Sequence, residues 1–357
     1  MPVPSTMKAA VLSEPGKMSI ETIPVPNVGP YDVLIEVKAC GICGSDILGF
    51  HGQHPRINYP RVLGHEFSGV VAAIGSDVKH VVGNDLKLGD RVAGGVHIRC
   101  GKCWACRHEI SNHCEAGKDI GLSVNGGMAQ YVLEPVENVF KLPPNVNFIH
   151  GALAETLAVG YHAARLIAKV GAGDIVVIIG AGPVGMNVLL AAKASGAYIV
   201  ISDMYKGRLD IAKKAGATRT VLAGEEDLKT IVKEISHGRG ADKVFETVGG
   251  AGGGTLRLAV EVTRPCGTLV IMGNNSKNSI DLPITTFKES EITMIGSRGI
   301  PADCLERALL ILAQGEINLD LAYTNTVPLR DVNRGFEMFE NQKDSVLKVV
   351  LDQFDQF

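Results

Sequence analysis

The chain has 357 residues, 46% hydrophobic and 20% charged, with a net charge of −3. That length favours two domains over a single core, and the small charge gives no electrostatic case for nucleic acid or an anionic membrane as partner. Its apolar runs, such as Ile175–Ile179, are strand-length and fall short of the ~18–20 residues of a membrane helix.

The opening stretch, MPVPSTMKAAVLSEPG, has no basic start followed by an apolar run, so a secretory signal is not expected and the cytoplasm is. From residue 7 to about 153 the chain is rich in short strand signals: KAAVLS, DVLIEVKA, FSGVVAAIG, DRVAGGV and MAQYVLEP. Short strands broken by Gly and Pro predict an irregular barrel or sandwich. Two motifs inside it carry chemistry. CGICGSD presents Cys43, while Cys40 closes the apolar run VLIEVKA and reads as core. LGHEFSG presents His65 and Glu66. Mixed S, N and O donors from separate loops suit a catalytic zinc with one open position. Each alone also reads as an ordinary buried residue.

CGKCWACRHEISNHC then holds four of the eight cysteines, spaced C-x2-C-x2-C-x7-C. In a reducing compartment such a cluster points to metal rather than disulfides. Cys100, Cys103, Cys106 and Cys114 would fill a tetrahedral sphere, giving a structural zinc with no room for substrate. Lys102, Arg107 and His108 would offset part of its negative charge.

From about Gly173 the pattern becomes strand–helix alternation. DIVVIIG, YIVISD, RTVL, KVFETVG, GTLVIMG and EITMIGS read as six strands. Val184–Ser195, KGRLDIAKKAGA, Leu228–Ser236 and GGGTLRLAVEVTR read as the helices between them. This predicts a doubly wound parallel sheet. GAGPVG follows the first strand and opens the first helix, and the second strand ends in Asp203. In that context G-x-G-x-x-G is a dinucleotide fingerprint. Gly180 permits the turn, Gly182 lets backbone approach a pyrophosphate, and Gly185 lets helix pack on sheet. The helix N-terminus favours the phosphates. Asp203 would accept from the ribose hydroxyls and repel a 2′-phosphate, favouring NAD over NADP, with Lys206 and Arg208 close enough to weaken that preference. Pro183, Val184, Arg208 and Thr247 join the candidate cofactor contacts. After Gly296 come a helix, Asp303–Gln314, and a final strand in KVVLDQF.

GHEFSGVVAAIGSDV matches G-H-E-x2-G-x5-G-x2-V at every defined position. With CGICGSD, the four-cysteine loop and GAGPVG in the same order, the chain resembles the zinc-containing alcohol dehydrogenases of the medium-chain dehydrogenase/reductase family. That resemblance implies an α/β protein: a GroES-like irregular β-barrel catalytic domain in two parts, 1–156 and 297–357, around a Rossmann domain at 157–296. It implies an active site in the cleft between them, two zinc ions per chain and NAD. GALAETLAVGYHA looks like the G-A-x-x-E-P-L segment of the polyol (sorbitol) dehydrogenase-like subgroup, with Thr156 where proline is usual. There Glu155 joins Cys43, His65 and Glu66 at the catalytic zinc; read by itself, Glu155 is a helix N-terminal acid.

The resemblance makes Ser45 the group that binds the alcohol and moves its proton, and Asp46 the partner of His65. Leu48 stands where many relatives carry a relay histidine, leaving His51 or water. Arg298, in IGSRGIP, falls in a region that lines the cofactor–substrate cleft. The expected reaction is oxidation of a secondary alcohol of a polyol to a ketone, with L-threonine 3-dehydrogenase or 2,3-butanediol dehydrogenase activity as alternatives. A catalytically silent structural relative would be expected to lack the ligands that stand here. A homotetramer or homodimer is expected.

Overall fold

A computed structural model describes residues 3–81, 85–249, 253–274, 279, 281–301 and 303–356. The N-terminal stretch is all short strands. β1 (Thr6–Glu14), β2 (Lys17–Pro24) and β3 (Asp32–Gly41) lead into a short helix, α1 (Gly44–Phe50). β4 (Arg61–Val62), β5 (Glu66–Ile74), β6 (Arg91–Gly94) and β7 (His97–Ile98) follow. The four-cysteine loop contains one helical turn, α2 (Trp104–Arg107), and closes on β8 (Lys118–Asp119), which pairs antiparallel with β7. β9 (Tyr131–Pro135) and β10 (Val139–Lys141) complete the stretch.

A long helix, α3 (Phe148–Tyr161), comes next. Asn147 caps it by accepting from the His150 N–H. Its two glycines mark close approaches. A Cβ on Gly151 would meet Leu142 and Ser68 on the barrel side, and one on Gly160 would lie 2.4 Å from the Asn187 backbone. α3 therefore packs on both halves of the molecule and runs through residues 156 and 157.

Then alternation begins: β11 (Ile175–Ile179), α4 (Pro183–Lys193), β12 (Tyr198–Asp203), α5 (Lys206–Lys214), β13 (Arg219–Leu222), α6 (Leu228–Ile235), β14 (Ala241–Glu246), α7 (Gly254–Val262), β15 (Thr263–Ile271), α8 (Ile284–Glu289) and β16 (Thr293–Gly296). The six strands form one parallel sheet in the order β13-β12-β11-β14-β15-β16, with β16 at the edge. The order reverses beside β11, which opens a crevice at the strand C-termini, where the glycine turn lies. Val177, Ile178, Val200, Ile201 and Val244 are fully buried, as expected for strands covered on both faces. Each contributes about 1.5–3 kcal/mol by leaving water.

The chain ends with α9 (Cys304–Gln314), β17 (Asn325–Pro328), α10 (Val332–Asn341) and β18 (Val349–Asp352). β18 returns to the first segment and pairs antiparallel with β3. The resulting sheet runs β10-β6-β5-β3-β18-β17, with β9 also on β3. Strands from both ends of the sequence thus share one sheet and one core, in which Ile35, Ile42, Leu329, Val349 and Leu351 are fully buried. The fold is the expected one: a GroES-like β-barrel and a Rossmann sheet.

Two local expectations need correction. The helix read as GGGTLRLAVEVTR stops at Val262, and Thr263 already opens β15, because β-branched Thr263 pairs with Ala241 in the sheet. Its first glycine, Gly252, lies outside the described residues. The bare reading of Glu155 as a helix N-terminal acid also fails, since it sits in the middle of α3 and is buried.

Candidate metal centre and cofactor cleft

The two ligand-bearing loops are tied together before any metal is considered. Cys43 is the N-cap of α1 and presents its thiol at the end of β3. Gly64 has φ +93°, and a Cβ there would lie 2.6 Å from Cys40 Sγ. Only glycine fits, and the turn delivers His65 and Glu66 into the barrel interior. Asp46, fully buried, accepts from Cys43 N (2.8 Å) and from Gly64 N (3.3 Å). One carboxylate thereby fixes the spacing of both loops. Its Oδ1 also stands 3.7 Å from His65 Nδ1, an electrostatic contact rather than a hydrogen bond.

The ligand atoms of Cys43, His65 and Glu66 all lie within 4.8 Å of one another. His65 Nε2 is 3.4 Å from Ser45 Oγ. His65 Nδ1 and Glu66 Oε2 are buried without a hydrogen-bond partner. Glu155 stands outside this triad, but its charge acts on His65 and on Glu66. Burial, and next the charge of Glu66, push its carboxyl up to about 7. For His65, burial favours the neutral ring, but the anionic Asp46 and Cys43 outweigh it and hold the pKa well above its usual value. A buried knot of thiol, imidazole and carboxylates, with unpartnered polar atoms at its centre, fits a cation such as zinc.

One partner in this knot is absent from the sequence reading. Lys348, 1% exposed, donates from Nζ to Glu66 Oε1 at 2.5 Å. Burial opposes both charges, and their mutual attraction outweighs it, lowering the Glu66 pKa and raising that of Lys348. The signal was a lone lysine in the apolar stretch SVLKVVL just before β18.

The second cluster is of another kind. Cys100, Cys103, Cys106 and Cys114 also bring their sulfurs within 4.8 Å, but all four are only half-buried. Backbone N–H groups of Cys106 and Glu115 hold Cys103 down to about 6, and those of Lys102 and Cys103 lower Cys100. Burial and the neighbouring thiols push Cys106 up to about 12. Four thiols, two of them with backbone N–H groups that favour the thiolate, fit a closed tetrahedral zinc. Trp104, the chain's single tryptophan, lies in this loop and stacks on His108 at 4.4 Å.

In the crevice of the parallel sheet the glycine turn has the predicted form. Gly180 has φ +104°; a Cβ on Gly185 would lie 1.9 Å from Gly180 O. Gly182 caps α4, with Pro183 at its first position and Val184 next. Thr247 Oγ1 donates to Ile179 O and Gly180 O, buttressing the turn from β14. Asp203 accepts from Ala181 N (2.7 Å) and Tyr205 N (2.9 Å), so it braces the turn. Arg208 Nη1 lies 3.7 Å from the Cβ position of Gly182, and its guanidinium covers Tyr205. Arg298 stands apart from the turn, after β16, and is exposed. Its Nη1 donates to Asn112 O in the four-cysteine loop. His51 is held at the surface by Glu340 of α10, 2.6 Å away.

Comparison with known proteins agrees with this geometry. Residues 29–144 match the alcohol dehydrogenase GroES-like domain and residues 183–314 the zinc-binding dehydrogenase family. The chain is 35% identical to sorbitol dehydrogenase of Bacillus subtilis, over 98% of each chain. It is 35% identical to D-arabitol-phosphate dehydrogenase of Enterococcus avium, over 93% of this chain and 94% of the other. A dehydrogenase of Escherichia coli CFT073, solved in complex with cofactor NADH, superimposes with a TM-score of 0.89 at 26% identity, covering 98% of this chain and all of that one. The chain belongs to the zinc-containing alcohol dehydrogenase family, in its polyol dehydrogenase-like branch, and is an NAD-dependent oxidoreductase.

Proposed function

We propose that this enzyme oxidises a secondary alcohol of a polyol, or of a related polyhydroxy compound, to a ketone. The observation that carries the reading is the convergence of half-buried Cys43 with buried His65 and Glu66, with a glutamate, Glu155, coming in from α3. The relatives that act on sorbitol and arabitol phosphate support the substrate class.

In this reading Cys43, His65, Glu66 and Glu155 hold the catalytic zinc, either glutamate directly or through water. Zinc bound there supplies a Lewis acid that lowers the pKa of the substrate hydroxyl. NAD supplies the hydride acceptor. The chain's own residues do the rest. Ser45 Oγ, beside His65 Nε2, accepts the hydroxyl proton and releases its own towards the cofactor ribose. Asp46 keeps His65 oriented, with Nε2 towards Ser45. Lys348 holds Glu66 in place and ionised. Gly180, Gly182, Pro183, Val184, Gly185 and Thr247 shape the pyrophosphate cradle, and Asp203 and Arg208 flank the ribose. Arg298 lines the far wall of the cleft. Since His51 is engaged by Glu340, water is the better candidate to carry the proton onward.

Domain limits near 156 and 296 follow from this division of labour, with α3 shared. A second copy pairs along the edge strand β16, giving a homodimer or, doubled, a homotetramer. Among the described residues no helix is long and apolar enough to cross a membrane, and a reduced four-thiolate site suits the cytoplasm.

The test is a panel assay at the NADH absorbance, with sorbitol, xylitol, arabinitol, galactitol, their phosphates, threonine and butanediols, and zinc counted per chain. Turnover of polyols with two zinc ions is expected. Turnover of threonine alone overturns the substrate class, and a single zinc with no turnover overturns the catalytic reading.

A further inference from the structure

The four-cysteine lobe reads as a staple, remote from the chemistry. Its contacts assign it a second task. The segment Ser297–Ile300 leaves the last parallel strand, β16, and crosses back towards the barrel. Ser297 N still donates to Ile271 O of β15 and Ile300 is buried in the core, but the hydrogen bonds to Arg298 come from this lobe. Asn112, in the loop between Cys106 and Cys114, is 7% exposed. Its Nδ2 donates to Arg298 O at 2.8 Å, and its own carbonyl accepts from Arg298 Nη1 at 3.1 Å. The pair is reciprocal: side chain to backbone in each direction.

The base of the lobe holds the same segment from the other side. Arg99, the residue before Cys100, donates from Nη2 to Ile300 O at 3.2 Å and from Nη1 to Asn138 Oδ1 at 3.2 Å. His97 lies under Gly299, where a Cβ would come within 2.5 Å of His97 Nε2; Gly299 also has φ +52°. His97 is itself fixed, because Asp119 binds both its Nδ1 and the guanidinium of Arg56. Residues 97 and 119 pair across the ribbon that forms the neck of the lobe. Neck and tip thus close on residues 298–300 like two jaws.

We infer that the four-cysteine lobe is a clamp that sets the position of Arg298, and that Asn112 is the positioning residue of that clamp. The inference rests on the reading of Arg298 as a cleft residue that meets the cofactor or the substrate. One guanidinium nitrogen is spent on the Asn112 carbonyl, and among the described residues the others have no hydrogen-bond partner. The Asp119 carboxylate acts on the guanidinium by charge, and the anchored fork keeps donors to spare for an anion. Metal in the lobe then bears on cofactor affinity without touching the reaction. Only order in the loop that carries Asn112 keeps its Nδ2 on the Arg298 carbonyl.

The experiment uses the full-length, zinc-loaded protein and a double-mutant cycle on Asn112→Ala and Arg298→Ala. NADH dissociation constants, KM and kcat are read, with zinc per chain and Trp104 emission as checks on the lobe. Asn112→Ala is expected to keep both zinc ions and the Trp104 spectrum. It should weaken NADH, or raise KM for substrate, by about three- to tenfold, the loss of one backbone-directed hydrogen bond, with kcat changed less. Arg298→Ala should cost more, and the double variant no more than Arg298→Ala alone. If Arg298→Ala weakens binding but Asn112→Ala does not, or if the two effects simply add, the clamp is overturned while the cleft reading stands. If Arg298→Ala changes nothing, the cleft reading of that residue falls first and takes the clamp with it. Should Asn112→Ala shed zinc, Asn112→Asp carries the test: it keeps the shape and sets an acceptor against the Arg298 carbonyl. A normal NADH affinity in that variant overturns the proposal.

Discussion

The molecule holds two candidate metal sites that contrast in almost every physical respect. One is built from a single short loop, uses four sulfurs and stands half in solvent. The other draws on the start of α1, the start of β5, α3 and the residue before β18, mixes sulfur, nitrogen and oxygen, and is buried around Asp46, Glu66 and Lys348. The first is local, its four ligands falling within fifteen residues of one another. The second exists only when the whole fold does. Its charges are out of water and must answer one another, which is where reactivity is built. The difference teaches that ligand count alone does not separate a staple from a reactive centre. Burial, donor variety and unpartnered atoms do.

The sharpest way to press the contrast is to remove one ligand from each site. His65→Ala is expected to lower kcat/KM by about a thousandfold or more, as loss of the electrophile demands, with zinc falling to one per chain and little change in Trp104 emission. Retained turnover would break the contrast outright. The buried site should also be the more fragile to loss of its counter-charge. Lys348→Met takes the buried ammonium away from Glu66, at a cost of about 3–5 kcal/mol in denaturant unfolding. Adding Glu66→Gln should recover part of it, and an unchanged midpoint would show that the pair is not coupled.

Cys103→Ala tests the other side. It should remove the lobe zinc, shift the Trp104 spectrum and lower Tm by roughly 5–10 °C, while kcat falls far less than in His65→Ala. Equal losses of kcat in the two variants would erase the distinction. The smallest effect concerns Glu134, which bonds Asn138 beneath the lobe and is fully buried, with Oε1 unpartnered. Burial raises its pKa well above 4.5, so the folded state favours the protonated acid. That contribution is complete below the unfolded pKa and is lost as pH rises through the folded value. Glu134→Gln should therefore match the parent near pH 4 and exceed it at pH 8 by about 1 kcal/mol. A gap that stays constant with pH would contradict this.

What could be read from sequence follows the same division. The six parallel strands announce themselves through short apolar runs, purest in the central IVVII, set between helical segments at regular intervals. The four-cysteine loop does so because its ligands are neighbours in the chain. The glycine turn was legible because Gly180 needs a positive φ and Gly185 has no room for a Cβ. Lys348 was not legible as a site residue, since its partner lies 282 positions away and only strand pairing between β18 and β3 brings them together. Asn112 was hidden for the same reason, its partner being Arg298. The helical setting of Ser45 in α1 was also missed: seven residues containing two glycines show too little periodicity to read.

The pairing of Lys348 with Glu66 also has a consequence in time. During synthesis the barrel strands, the glycine turn and the four-cysteine lobe have all left the ribosome while Lys348 has not yet been added. Until β18 slots in beside β3, Glu66 lacks the ammonium that is its hydrogen-bonded partner in the finished sheet. The last of the described strands thus brings the counter-charge to a carboxylate that stands 282 positions earlier in the chain.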